Sequence, residues 1–280
     1  HFNEFIYDVR SRRKDFSDLP TLGETERLNY QARSARLSPD GRYLAFGRVA
    51  LNRGTPPDKI RLRAMSKDDE PTVLVSMPDR ELSNWVWSPD SKKLTFAVWD
   101  EGEGQYQPWM VDVATKKTER IKLPNLPSKI EKDYGALVHA WSADGLWVVH
   151  SKGHFHLMDP KTKETRKLNE QATGFMMGSV RVSPDGKKML YLSATAEHDW
   201  SLRVIDLLLG KTTVIAKLAN TAEMSAAWSP DSRSIVCSHA AANPEGRTEG
   251  EFHVEIFSLG DNRRRTLVKA AEWLTVTDWR

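Results

Sequence analysis

The sequence repeats itself. Leu37-Ser38-Pro39-Asp40-Gly41, Trp87-Ser88-Pro89-Asp90-Ser91, Trp141-Ser142-Ala143-Asp144-Gly145, Val182-Ser183-Pro184-Asp185-Gly186 and Trp228-Ser229-Pro230-Asp231-Ser232 each stand just before a short β-type run. Their aspartates are spaced by 50, 54, 41 and 46 residues. A unit recurring at a period of tens of residues cannot bury its own apolar face and must stack on copies of itself. Ser-Pro-Asp-Gly is also a turn with a mechanism. Proline presets φ, the aspartate side chain accepts from nearby backbone N–H groups, and glycine closes the bend.

A strand is therefore expected to end at each motif and another to begin after it. The following runs are β-branched or aromatic: Tyr43-Leu44-Ala45-Phe46, Leu94-Thr95-Phe96-Ala97-Val98, Trp147-Val148-Val149, Met189-Leu190-Tyr191-Leu192 and Ile235-Val236-Cys237. Third strands are predicted at 60–64, 109–113, 155–159, 202–206 and 253–257, and fourth strands at 72–75, 118–123, 165–168, 212–218 and 265–268. Four antiparallel strands per repeat make the blade of a β-propeller. The chain is predicted to be all-β, a single propeller domain over residues 1–280. Residues 4–9 and 25–28 read as outer strands and 275–280 as a first strand, with Trp279 placed like Trp87 and Trp228. Pairing the two ends would close a ring of six four-stranded blades and remove the exposed sheet edges.

Composition bounds the partners. A net charge of +3 over 280 residues gives no argument for nucleic acid. The clusters Arg10, Arg12, Arg13, Lys14 and Arg263, Arg264, Arg265 read as solvated hairpin tips. No apolar run is long enough for a membrane helix. The single cysteine, Cys237, reads as a small buried hydrophobe.

These repeats resemble the PD-type, TolB-like β-propellers, relatives of the WD40 propellers, over almost the whole chain. The third repeat departs from the pattern with Ala143 and Leu146. The resemblance implies a fold more than an activity, because its members differ. The periplasmic TolB propeller binds protein partners, related propellers precede the hydrolase domain of prolyl oligopeptidase-type enzymes, and oligogalacturonate lyases are built similarly. A periplasmic or secreted setting is what the resemblance implies.

Function must come from a site. No Gly-x-Ser-x-Gly elbow, Gly-rich phosphate loop with lysine, His-Glu-x-x-His or paired Cys-x-x-Cys is present, so no catalytic residue and no cofactor is assigned. The copied aspartates Asp40, Asp90, Asp144, Asp185 and Asp231 are read as turn builders. His150, His154 and His156 are the candidates for a metal. His154 and His156 share a strand face, and His150 lies across a hairpin from them.

Length and variety concentrate in predicted loops at one end of the blades: 51–59, 99–108, 194–200 and 240–251 between second and third strands, and 76–82, 124–137, 169–178 and 219–224 between blades. Phe175-Met176-Met177 falls in one of them. That rim carries Arg53, Trp99, Tyr106, Trp109, Tyr134, His198, Trp200 and Arg247 as candidate binding residues, since aromatic and arginine side chains dominate interfaces. The favoured reading is a non-catalytic scaffold binding a protein or peptide through this loop-rich face. The alternatives are a propeller enzyme or metal-binding protein, with His150, His154, His198 or His239 at the channel mouth, and an accessory propeller of a larger hydrolase.

Overall fold

In the computed structural model the described residues are 30–50, 58–65, 70–123, 136–151, 153–171, 179–196, 199–219, 221–242 and 248–270. They build four-stranded antiparallel sheets in chain order. Blade 1 is β1 (Tyr30–Leu37), β2 (Tyr43–Ala50), β3 (Lys59–Ala64) and β4 (Thr72–Ser76). Blade 2 is β5 (Leu82–Trp87), β6 (Lys93–Asp100), β7 (Gln105–Asp112) and β8 (Thr118–Arg120). Blade 3 is β9 (Leu137–Trp141), β10 (Trp147–Ser151), β11 (His154–Met158) and β12 (Thr165–Gln171). Blade 4 is β13 (Arg181–Val182), β14 (Lys188–Ala196), β15 (Asp199–Asp206) and β16 (Thr212–Leu218). Blade 5 is β17 (Thr221–Trp228), β18 (Ser234–Ala242), β19 (Thr248–Ser258) and β20 (Arg264–Ala270). The described residues thus form five blades, not the six expected. The strands assigned to a sixth, at 4–9, 25–28 and 275–280, and the ring closure they were to make, lie outside the described residues.

The chain divides into two compact units, His1–Ile121 with blades 1 and 2 and Lys122–Arg280 with blades 3, 4 and 5. In the first, Ala45, Ile60, Leu62, Leu74 and Val75 of blade 1 pack on Leu82, Trp85, Trp87, Leu94, Phe96, Val98 and Val111 of blade 2. Leu82 lies opposite Val98 and Trp87 opposite Leu94, so an odd separation in β5 still reaches one face. A bulge there, with Asn84 at φ 47°, absorbs the extra residue. In the second unit, Ala140, Val148, Phe155, Leu157 and Leu168 of blade 3 meet Val180, Met189, Tyr191, Ile205 and Leu207 of blade 4. The other face of blade 4 meets Met224, Ala226, Trp228, Ile235, Cys237 and Phe257 of blade 5. Neither blade face could be left to water, so stacking is the fold's main stabilisation.

The repeated turns show why their residues recur. Ser38, Ser88, Ser183 and Ser229 each donate from Oγ to the motif aspartate at 2.5–2.7 Å. The same carboxylate oxygen accepts the backbone N–H two residues on, from Arg42, Lys92, Lys187 and Arg233. The serine oxygen in turn accepts from the first residue of the next strand at 2.9 Å. The Ser38 hydroxyl is the largest cause that holds the Asp40 carboxyl down at about 2, and serine hydroxyls likewise lower Asp90 and Asp231. One oxygen of each of these four carboxylates is taken up twice inside its own turn, which is a structural role. The third turn is one residue shorter: Ser142 N–H reaches Leu146 O at 2.8 Å.

Three of the predicted long loops are corrected. The described residues of 99–108, 194–200 and 240–251 continue the flanking strands. β6 runs to Asp100 and β7 starts at Gln105; β14 runs to Ala196 and β15 starts at Asp199; β18 runs to Ala242 and β19 starts at Thr248. Cross-strand pairs such as Trp99 with Tyr106 and Ala194 with Trp200 extend the ladders.

Candidate functional site

The β6–β7 hairpin is the most completely described part of the rim. Its tip is fixed from within. Asp100 Oδ1 accepts the N–H groups of Gly102 and Glu103 at 3.0 and 3.1 Å, and Gly104, at φ 64°, donates to Asp100 O at 2.8 Å. Glu103 Oε2 accepts from the side-chain amides of Gln105 and Gln107, both at 3.0 Å. Arg120 on β8 donates to Glu103 Oε1 at 3.1 Å and to Gln107 Oε1 at 2.6 Å. These donors hold the Glu103 carboxyl below its ordinary range, the Gln105 amide first and Arg120 after it.

On one face of this hairpin Trp99 and Tyr106 meet edge to face, ring centroids 5.1 Å apart. Tyr106 is buried beneath Trp99, and its hydroxyl bonds the Glu81 carboxylate. It therefore supports Trp99 rather than offering a surface of its own, contrary to its expected place among the contact residues. Arg80 donates from Nη1 to Trp99 O at 3.4 Å. Trp99 is half-buried. Trp109 lies opposite Phe96, so the pleat sends it to the face away from Trp99, where it is half-buried and packs on the core between blades 1 and 2. Trp200, also half-buried, packs on the core between blades 4 and 5. Arg53, Tyr134, His198 and Arg247 lie outside the described residues, as do Phe175-Met176-Met177 and the Arg10–Lys14 cluster.

The three histidines of β10 and β11 do not come together. His150 is paired with Phe155, whereas His154 is paired with Ser151 and His156 with Val149. His150 therefore shares the Phe155 face, 5.3 Å between ring centroids, and is turned away from the other two. There it meets His139, which the sequence did not single out. His139 is buried, and burial, followed by the charge of His150, pushes it down to about 3. A histidine of this kind is neutral at any physiological pH. His156 is lowered too, by burial and then by His154 and Lys167. Among the described residues no three His, Cys, Asp or Glu groups converge as a metal site.

A polar cluster in blade 5 went unrecognised apart from His239. Glu255 on β19 is buried, and its Oε2 lies 2.8 Å from His239 Nε2 and 2.6 Å from Arg264 Nη2. Thr266 donates to its other oxygen at 3.2 Å. Burial alone would raise the Glu255 carboxyl, but Arg264 and then His239 outweigh it and keep the group below the usual range. A carboxylate only accepts, so His239 Nε2 carries a proton. The rings of His239 and His253 stack at 5.4 Å and 23°. They face a cavity of about 320 Å³ between β16 and blade 5, lined also by Lys217, Thr221, Glu251 and Arg264. Arg264, an exposed residue, opens β20 and donates to Glu255 across the sheet. Cys237, next to this network, is fully buried, and burial first and Glu255 second push its thiol up to about 12. It is an inert thiol.

No family model matches the chain, and no curated protein sequence is similar to it. Solved structures are similar. The TolB structure from Acinetobacter baumannii superposes with a TM-score of 0.63 at 18% identity, over 84% of this chain and 53% of that one. A structure described as a TolB from Agrobacterium tumefaciens gives 0.63 at 15% identity, over 86% and 81%. An oligogalacturonate lyase from Vibrio parahaemolyticus gives 0.58 at 14%, over 89% and 68%. The chain spans about half the length of the Acinetobacter TolB. At these identities the likeness establishes the fold, an all-β, TolB-like propeller with five described blades. Among the described residues no helix is long and apolar enough to cross a membrane.

Proposed function

We propose that residues 1–280 act as a single polypeptide-binding propeller module whose contacts are made by hairpins rather than by loose loops. One observation carries this: the β6–β7 hairpin holds Trp99 half-exposed on a scaffold in which Tyr106, Glu81, Asp100 and Glu103 fix both its faces. A preformed aromatic hairpin binds with little ordering cost, which favours recognition of a peptide or protein surface. Trp109 and Arg120 on the opposite face, and Trp200 in blade 4, extend the same chemistry. Arg53, Tyr134, His198 and Arg247 remain proposed members of the rim.

The test is selection of random displayed peptides on the whole chain, with binding measured by titration calorimetry. Enriched peptides should lose at least about tenfold, or roughly 1.4 kcal/mol, on Trp99→Ala while the unfolding midpoint shifts little. Peptides that bind Trp99→Ala and Trp109→Ala as tightly as the parent, or no enrichment at all, would refute it.

A second reading is favoured by the His239–Glu255 pair. A small polar ligand would sit against His239 and His253, with the buried carboxylate fixing the His239 tautomer as in many catalytic or ligand-binding histidines. Chemical-shift changes of these two rings with small carboxylates and phosphates, lost in His253→Ala, would favour it; unmoved rings would remove it.

A further inference from the structure

Among the described residues the exposed large apolar side chains are Val73, Leu208, Leu209 and Val214. Three of these four sit on the β15–β16 hairpin of blade 4. Leu208 and Leu209, 82% and 68% exposed, occupy its tip. The turn itself does not call for them. Asp206 Oδ1 accepts the N–H groups of Leu208 and Leu209 at 3.0 and 2.8 Å, and Gly210, at φ 69°, donates to Asp206 O. Asp112 and Asp159 organise the matching tips of blades 2 and 3 in the same way, and those tips read Ala114-Thr115-Lys116-Lys117 and Lys161-Thr162-Lys163. Blade 5 has Gly260-Asp261-Asn262-Arg263 at this place. Polar side chains serve the geometry equally well, so the turn alone does not account for the two leucines.

The tip is also braced. Arg166 of β12 donates to the carbonyl oxygens of Leu207 and Leu208. With the N–H groups of Leu208 and Leu209 taken by Asp206, little backbone polarity is left for water, and the leucines project from a rigid support. Cations stand beside them. Arg166 lies against the tip, Lys187 accepts the Leu207 N–H on its carbonyl, and Lys211 follows Gly210. The acid at the tip, Asp206, is engaged by the turn.

We infer that the Leu208-Leu209 tip is a second docking point, for a polypeptide that presents an apolar cleft with an acidic rim. It lies at the compact-turn end of blade 4, opposite the end that carries the β14–β15 hairpin, and is therefore separate from the rim proposed above. The cations select an acidic neighbour, and a closed cleft would take the apolar area of the two leucines out of water. A bilayer surface fits less well, since even a whole acyl chain holds a protein there only marginally.

The experiment pans a library of displayed folded miniproteins on the full chain and counter-selects on Leu208→Ser/Leu209→Ser, which alters only exposed side chains. Surviving clones should carry apolar residues among Asp and Glu. They should bind the double variant at least tenfold more weakly, weaken with added salt and with Lys211→Glu, and bind Trp99→Ala unchanged. No survivor, or survivors indifferent to charge, overturns the proposal. So does leucine-dependent capture of phosphatidylserine vesicles, which assigns the tip to lipid, or a parent chain that sediments as a dimer while the double variant is a monomer. The Trp99→Ala arm keeps its failure apart from failure of the rim.

Discussion

The junction between blades 1 and 2 and that between blades 4 and 5 are near copies, while the junction between blades 3 and 4 is built from other parts. In the first pair, Trp87 Nε1 donates to Arg36 O at 3.0 Å and Trp228 Nε1 to Arg181 O at 2.9 Å. Ser91 and Ser232, both at φ 60°, accept the N–H of Asp40 and of Asp185 in the preceding blade, at 3.1 and 3.0 Å. These serines sit where repeats 1, 3 and 4 have glycine, in a backbone region that costs a side chain of order 1 kcal/mol. The bond to the neighbouring blade offsets that cost. Between blades 3 and 4 the indole is replaced by Val182 and the serine by Gly186. A Cβ on Gly186 would stand 2.5 Å from Ala143 Cβ, so the backbones approach too closely for the serine solution. Arg166 ties blade 3 to blade 4 instead, through the carbonyls of the Leu207-Leu208 tip. A repeat array thus tolerates a changed junction when another bond carries the load, and the changed junction is where the exposed leucines stand.

The comparison can be broken most severely at Trp228. Trp228→Ala should cost about 3–5 kcal/mol in urea unfolding, and Trp228→Phe about 1–3 kcal/mol, since the indole bond to Arg181 O is lost. Trp87→Phe should match Trp228→Phe; a neutral result at either would show that the indole bond does not hold its junction. Gly186→Ala should cost about 1–3 kcal/mol through φ +72° and the clash with Ala143. Arg166→Ala should lose about 1 kcal/mol and add to Trp228→Phe in the double variant, because the junctions share no partner. Ser232→Gly should change stability by less than about 1 kcal/mol, the relaxed backbone offsetting the lost bond.

The smallest effect is with acid. Asp40, Asp90 and Asp231 have folded pKa values below their unfolded ones. The stability they contribute is present above the ordinary carboxylate range and is lost as pH falls through it toward the folded values, about 2 for Asp40. Unfolding midpoints should hold between neutrality and about pH 5 and decline below about pH 4, less steeply in Asp231→Asn. An unchanged slope in that variant would remove the turn from the acid response.

The turns were legible because they are local: Ser183, Asp185 and Lys187 satisfy one another within a few residues. The hairpin at 99–108 was not, because partners outside it help to order it, Tyr106 with Glu81 and Glu103 with Arg120. Glu255 gave no signal either, since a lone glutamate among alternating residues of β19 reads as solvated until Arg264 and His239 are brought beside it.

By itself the sequence determined the copied turn, the four strands that follow from it and the need to stack, all consequences of short-range bonding and of apolar faces that no single repeat can cover. Tertiary structure decided which side chains of neighbouring strands share a face. The pairing of His150 with Phe155 rather than with His154 depends on where the β10–β11 turn closes, and a shift of one residue would exchange the faces. It also decided which serines reach the next blade and which leucines reach none, because those distances exist only once blades are side by side.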